Sequence, residues 1–193
     1  TTVEGGMRVF DLEQICFLDE APEVSINGLN DTGKSALDFD DKILIQVDQY
    51  EMAMPSDKVA KAPNFSYCSK HTTTEGETQL VTGNFYRKGG NGPSQVSFWN
   101  IADEKIESFD KYINMSNADD TQKSVTRVQG AIVCGDTLIL NRSYSDKSNE
   151  IMMYQIKEDH TVEYIAGVNK NWVVSCQDLS YDPDNGLLYG LTF

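Results

Sequence analysis

The chain has 193 residues, 39% hydrophobic, 10% aromatic and 24% charged, which fits one globular domain with a substantial core and argues against disorder. A formal charge of −14 leaves no basic stripe, so nucleic acid and anionic membrane surfaces are excluded as partners, while metal cations, basic partners or plain solubility suit it. No apolar run approaches the ~18 residues of a membrane-crossing helix, so membrane insertion is not expected, and Thr1-Thr-Val-Glu-Gly-Gly6 lacks the features of a leader, so a secreted form would be the mature chain.

From the N-terminus, Met7-Arg-Val-Phe-Asp-Leu12 and Ile15-Cys-Phe-Leu18 read as two strands. Gly28-Leu-Asn-Asp-Thr-Gly-Lys34-Ser35 matches the phosphate-binding pattern G-x-x-x-x-G-K-[ST], but that loop needs a helix after it, and Ala36-Leu-Asp-Phe-Asp-Asp41 reads as strand and turn. A surface loop is the favoured reading, with a P-loop nucleotide-binding enzyme as the remote alternative.

Four segments then superpose as hairpins: 35–45, 66–85, 129–140 and 177–191. Each has a small or polar start, a short strand, a turn rich in Asp, Gly or Asn, and a second apolar strand. Strands at 95–101 and 105–112 come after the second hairpin, and strands at 151–156 and 161–165 after the third, completing four-stranded antiparallel units. The last hairpin has only two strands, and the chain begins with two that lack a hairpin. Joining them gives one all-β, small β-propeller domain over 1–193, closed by pairing the N-terminal strands with the C-terminal hairpin. The hairpin starts lie 31, 63 and 48 residues apart, so four blades are expected, with five as the alternative raised by the short first interval.

In a propeller the innermost strands begin at a central channel, where ligands bind. Ser35, Ser66, Gln129, Gln177 and Asp178 hold those starts and are the candidate ligand-binding residues. Catalytic residues are not assigned: His71 and His160 lack any nucleophile motif nearby and read as surface or turn residues. Trp99, Trp172, Tyr144 and Tyr189 offer sugar-stacking surfaces but read first as core. Asp182-Pro-Asp184-Asn-Gly186 resembles the start of a calcium loop yet lacks its later ligands, so it reads as a hairpin turn. No cofactor is fixed; Ca²⁺ is the ion that the acidic turns would suit.

Cys16, Cys68, Cys134 and Cys176 are scattered without metal-ligand spacing, and their even number fits two disulfides or four buried thiols, with Cys16 to Cys176 attractive as a pair because both would lie in the closing blade. Asn30, Asn64, Asn114 and Asn141 each open an N-x-[ST] glycosylation acceptor. The strings Gly6-Met-Arg-Val-Phe-Asp-Leu12, Leu80-Val-Thr-Gly-Asn-Phe85, Gln129-Gly-Ala and Asp178-Leu-Ser-Tyr-Asp-Pro183 resemble those of secreted bacterial, especially actinobacterial, β-propeller proteins of unassigned activity. That resemblance implies a fold and an extracellular compartment, not a reaction. The expected function is therefore an extracellular binding or structural module whose partner is a glycan or another extracellular macromolecule, with self-association as a further option. The alternative is a calcium-dependent propeller hydrolase or lactonase.

Overall fold

A computed structural model describes residues 6–17, 25–26, 35–39, 42–51, 65–85, 94–103, 105–116, 125–142, 150–169 and 179–190; side chains are described from residue 65 on, 168 and 169 excepted. Among the described residues the fold is all-β, without a helix. The chain divides into two compact units, Thr1–Ala62 and Pro63–Phe193.

The first unit holds β1 (Gly6–Phe17), β2 (Ser25–Ile26), β3 (Ser35–Phe39) and β4 (Lys42–Glu51), in the sheet order β1-β4-β3-β2. The expected hairpin at 35–45 is formed by β3 and β4. The two N-terminal strands expected from sequence are one strand with an irregularity. Phe10 pairs with Gln46 and Ile15 with Leu44, so β1 spends five residues where β4 spends two, and the surplus interrupts the ladder. Ser35, which would have to open a helix in a phosphate-binding loop, opens strand β3 instead.

Among the described residues, the second unit carries ten strands in antiparallel sheets of four, four and two. β5 (Phe65–Thr72), β6 (Thr78–Asn84), β7 (Gln95–Ala102) and β8 (Lys105–Asn114) form a meander in chain order. So do β9 (Val128–Cys134), β10 (Thr137–Arg142), β11 (Glu150–Ile156) and β12 (Val162–Asn169). β13 (Leu179–Asp182) and β14 (Leu187–Gly190) form a hairpin of their own. Turn chemistry places these connections. Gly135 takes φ +59° in the two-residue turn between Cys134 and Thr137, a left-handed conformation that costs glycine nothing. The carboxylate of Asp182 closes the β13–β14 turn, accepting from Asp184 N–H at 3.0 Å, Asn185 N–H at 3.3 Å and Asn185 Nδ2 at 2.6 Å. Its oxygens are engaged as a turn uses them, which agrees with the hairpin reading of this acidic stretch.

Among the described residues, the core of this unit lies between its two four-stranded sheets. Tyr67, Val81, Val96, Phe98 and Ile113 of the first face Val128, Ala131, Val133, Leu138, Leu140, Met152 and Tyr154 of the second in one cluster. Alternation puts these residues on one face of each strand, so the two meanders pack face to face. Among the described residues the sheets do not close into a ring: β1 pairs with β4, and β13–β14 remains two-stranded.

Candidate functional site

The first strands of the sheets in the second unit lie together, β9 against both β5 and β13. Ser66 Oγ donates to the Val128 carbonyl at 3.4 Å and Ser69 Oγ to the Ala131 carbonyl at 2.6 Å. Both rungs advance in the same direction, so β5 and β9 run parallel. His71 extends the series by donating to the Val133 carbonyl. On the other side of β9, Tyr181 of β13 bonds Cys134, which raises the phenol pKa.

This geometry brings together two of the five residues expected at the mouth. Ser66 is exposed near the start of β5 and also donates to the Gly83 carbonyl at 3.4 Å; Gln129 is half-buried near the start of β9, one residue from the Val128 carbonyl that Ser66 reaches. Arg127, next along the chain, takes φ +66°, a conformation uncommon for a residue with a side chain and one that sequence patterns do not announce. Ser35 opens β3 in the first unit, where side chains are not described, and Gln177 and Asp178 lie outside the described residues.

A second polar group was not anticipated. His71 pairs across the ladder with Gln79, Gln79 with Asn100, and Asn100 with Ser108, so one polar row crosses the first sheet at its turn end. Gln79 is only 4% exposed; its Nε2 donates to Asn100 Oδ1 and Asp110 Oδ2, each at 2.9 Å, while Asn100 Nδ2 donates to Ser108 Oγ at 3.1 Å. The buried Oε1 of Gln79 has no protein donor. His71, expected at the surface or in a turn, is instead 9% exposed in β5, its ring edge-on to Phe98 at 6.5 Å. Burial holds its pKa below the ordinary imidazole value, and Lys111 adds to that, against the opposing pull of the Val133 hydrogen bond and Asp136. Lys111 itself sits over the Phe98 ring at 5.1 Å.

Distances decide what this arrangement can do. His71 and Ser108 are on β5 and β8, the two edges of the sheet, and three strand spacings put them roughly 14 Å apart. A histidine at that separation does not activate a serine. The row offers amide, hydroxyl and carboxylate groups for hydrogen bonding rather than a nucleophile and its base. Among the described residues, no three His, Cys, Asp or Glu side chains converge as a metal site.

The other residues singled out in the sequence are dispersed through the fold. Trp99 is core, as read from the sequence: it is buried, its Nε1 donates to Thr82 Oγ1 at 2.9 Å, and it stacks edge-on with Phe65 and Phe109. Tyr189 is 52% exposed on β14. His160 is exposed in the β11–β12 turn, with φ +61°. Neither Cys68 nor Cys134 is in a disulfide; Cys16 lies in β1, where side chains are not described, and Cys176 lies outside the described residues. Asn30, Asn64, Tyr144 and Trp172 lie outside them too. No protein-family model matches the sequence, and no curated protein shows significant similarity to it.

Proposed function

We propose that this protein is an extracellular β-propeller-type binding module that recognises a glycan through hydrogen bonds at the mouth of its first strands. The observation that carries this reading is the Ser69 to Ala131 bond with its companion at Ser66: consecutive meanders stand with first strands parallel and faces packed, as blades do around an axis. On this reading 65–72, 128–134 and 179–182 are the first strands of successive blades. Secretion is supported by the four N-x-[ST] sites and the acidic surface. The hydroxyl of Ser66 and the amide of Gln129 suit sugar hydroxyls, which both donate and accept.

Binding of the full chain to immobilised extracellular polysaccharides tests this. Ser66→Ala combined with Gln129→Ala is expected to lower affinity at least tenfold while the variant still unfolds in one cooperative urea transition. A chain that binds no polysaccharide, or a double variant that binds as well as the parent, would sink the proposal; binding to proteins alone would assign the mouth to a protein surface instead.

A further inference from the structure

The asparagines of two of the four N-x-[ST] acceptors lie among the described residues, and the fold places them oppositely. Asn141 is in β10, an inner strand flanked by β9 and β11, and is 0% exposed. Asn114 ends β8, an outer strand of its sheet, and is exposed. The residue between Asn114 and its serine fixes the difference. Met115 is fully buried in the core; its N–H donates to the Ser94 carbonyl at 3.0 Å and its carbonyl accepts from Val125 N–H at 2.9 Å. Anchoring the middle residue turns both flanking residues outward, so Asn114 and Ser116 are exposed together. Asn114 Oδ1 accepts from Ser116 N–H at 3.0 Å and from Ser116 Oγ at 2.7 Å. The carbonyl end of the amide is held by the serine, and its nitrogen is the end left to react.

We infer that Asn114 is an N-linked glycosylation site and that the folded chain excludes a glycan from Asn141. The donor is an oligosaccharide on a lipid pyrophosphate. Nδ2 of Asn114 bonds to C1 of the first sugar, the C1–O bond to pyrophosphate breaks with its electron pair leaving on the lipid pyrophosphate, and the amide nitrogen gives up one proton. A glycan here stands at the open edge of β8 and shields backbone groups that would otherwise template strand addition. At Asn141 there is no room: the side chain is fully buried on an inner strand.

The inference rests on the extracellular reading only in requiring that the chain meet such a donor, and the test separates the two. The full chain, given a leader, is expressed in a eukaryotic secretory host, and occupancy is mapped by mass spectrometry after enzymatic deglycosylation. Asn114 is expected to be occupied and Asn141 empty, with Asn114→Gln losing one glycan and Ser116→Ala losing the same glycan while keeping the asparagine. Secreted, folded chain with Asn114 unmodified, or with Asn141 modified, overturns the inference; if either variant fails to be secreted, the parent's map decides alone. Recovery of the protein from inside the cells of its source would overturn the extracellular reading and leave this acceptor geometry standing.

Discussion

Tyr67 and Gly83 face each other across β5 and β6, with the tyrosine ring lying where a side chain at 83 would go. A Cβ on Gly83 would overlap the Tyr67 hydroxyl and come within 2.6 Å of the Gln95 carbonyl. The hydroxyl is buried without a hydrogen-bond partner, and burial drives its pKa far above the ordinary phenol value. Gly83→Ala is therefore expected to cost about 1–3 kcal/mol. Tyr67→Phe, which removes a polar atom that makes no bond, is expected to be neutral or to stabilise by about 1 kcal/mol. Urea unfolding of both variants checks this; a Tyr67→Phe loss above about 2 kcal/mol would show that the hydroxyl has a partner. His71 sets a pH dependence. Because its folded pKa lies below the unfolded value of about 6.5, the unfolded chain binds the proton more readily. Its contribution is complete above that value and is lost as pH falls through the folded pKa, so the urea midpoint should drop below pH 6.5 and His71→Phe should flatten the drop. A midpoint that rises on acidification in the parent alone would reverse the assignment. Neither Tyr67 nor His71 was distinguishable in the sequence from its exposed neighbours, because β5 reads Phe-Ser-Tyr-Cys-Ser-Lys-His-Thr, with polar residues on both faces. The alternation that betrays a buried face is absent there, and burial is decided by the second sheet.

At the scale of elements, the hairpins were legible because each signal was local. The Gly135-Asp136 pair, the Asp182 to Gly186 turn and the apolar run after each lie within a few residues of the strands they connect. The partner of β1 was not legible in the same way. Met7 to Leu12 carries a strand pattern that suits any open edge, and it is the choice between distant edges that local pattern leaves out; β1 takes β4. Contacts between sheets are similarly remote. Ser69→Ala removes the 2.6 Å bond from β5 to the Ala131 carbonyl, 62 residues away, and is expected to cost about 1 kcal/mol. Leu138→Ala, at a fully buried position of β10 facing the other meander, is expected to cost about 2–5 kcal/mol. Denaturant midpoints that leave Leu138→Ala within about 1 kcal/mol of the parent would mean that the meanders do not share this core.

At the scale of the molecule, exposure changes across one face of the second meander. Ile132, Ile139 and Met153 are direct cross-strand neighbours on the side opposite the core, and Ile165 comes next at the irregularity in β12. Ile132 is 2% exposed, Ile139 and Met153 are half-buried, and Ile165 is 51% exposed. Burial fails outward from β9, the strand that β13 packs against, so a two-stranded hairpin covers only the inner part of a face built for more. The same hairpin leaves Leu187, Leu188 and Tyr189 exposed on β14, with no charge, proline or bulge to guard its edge. Pro63–Phe193 is a compact unit by itself, so a chain of residues 63–193 is expected to fold cooperatively and to associate through β14. Sedimentation velocity with near-ultraviolet circular dichroism separates the outcomes. A folded, monomeric 63–193 would mean that β14 needs no further strand; a fragment that associates, and is dispersed by Leu188→Lys on β14, would mark β14 as an open edge.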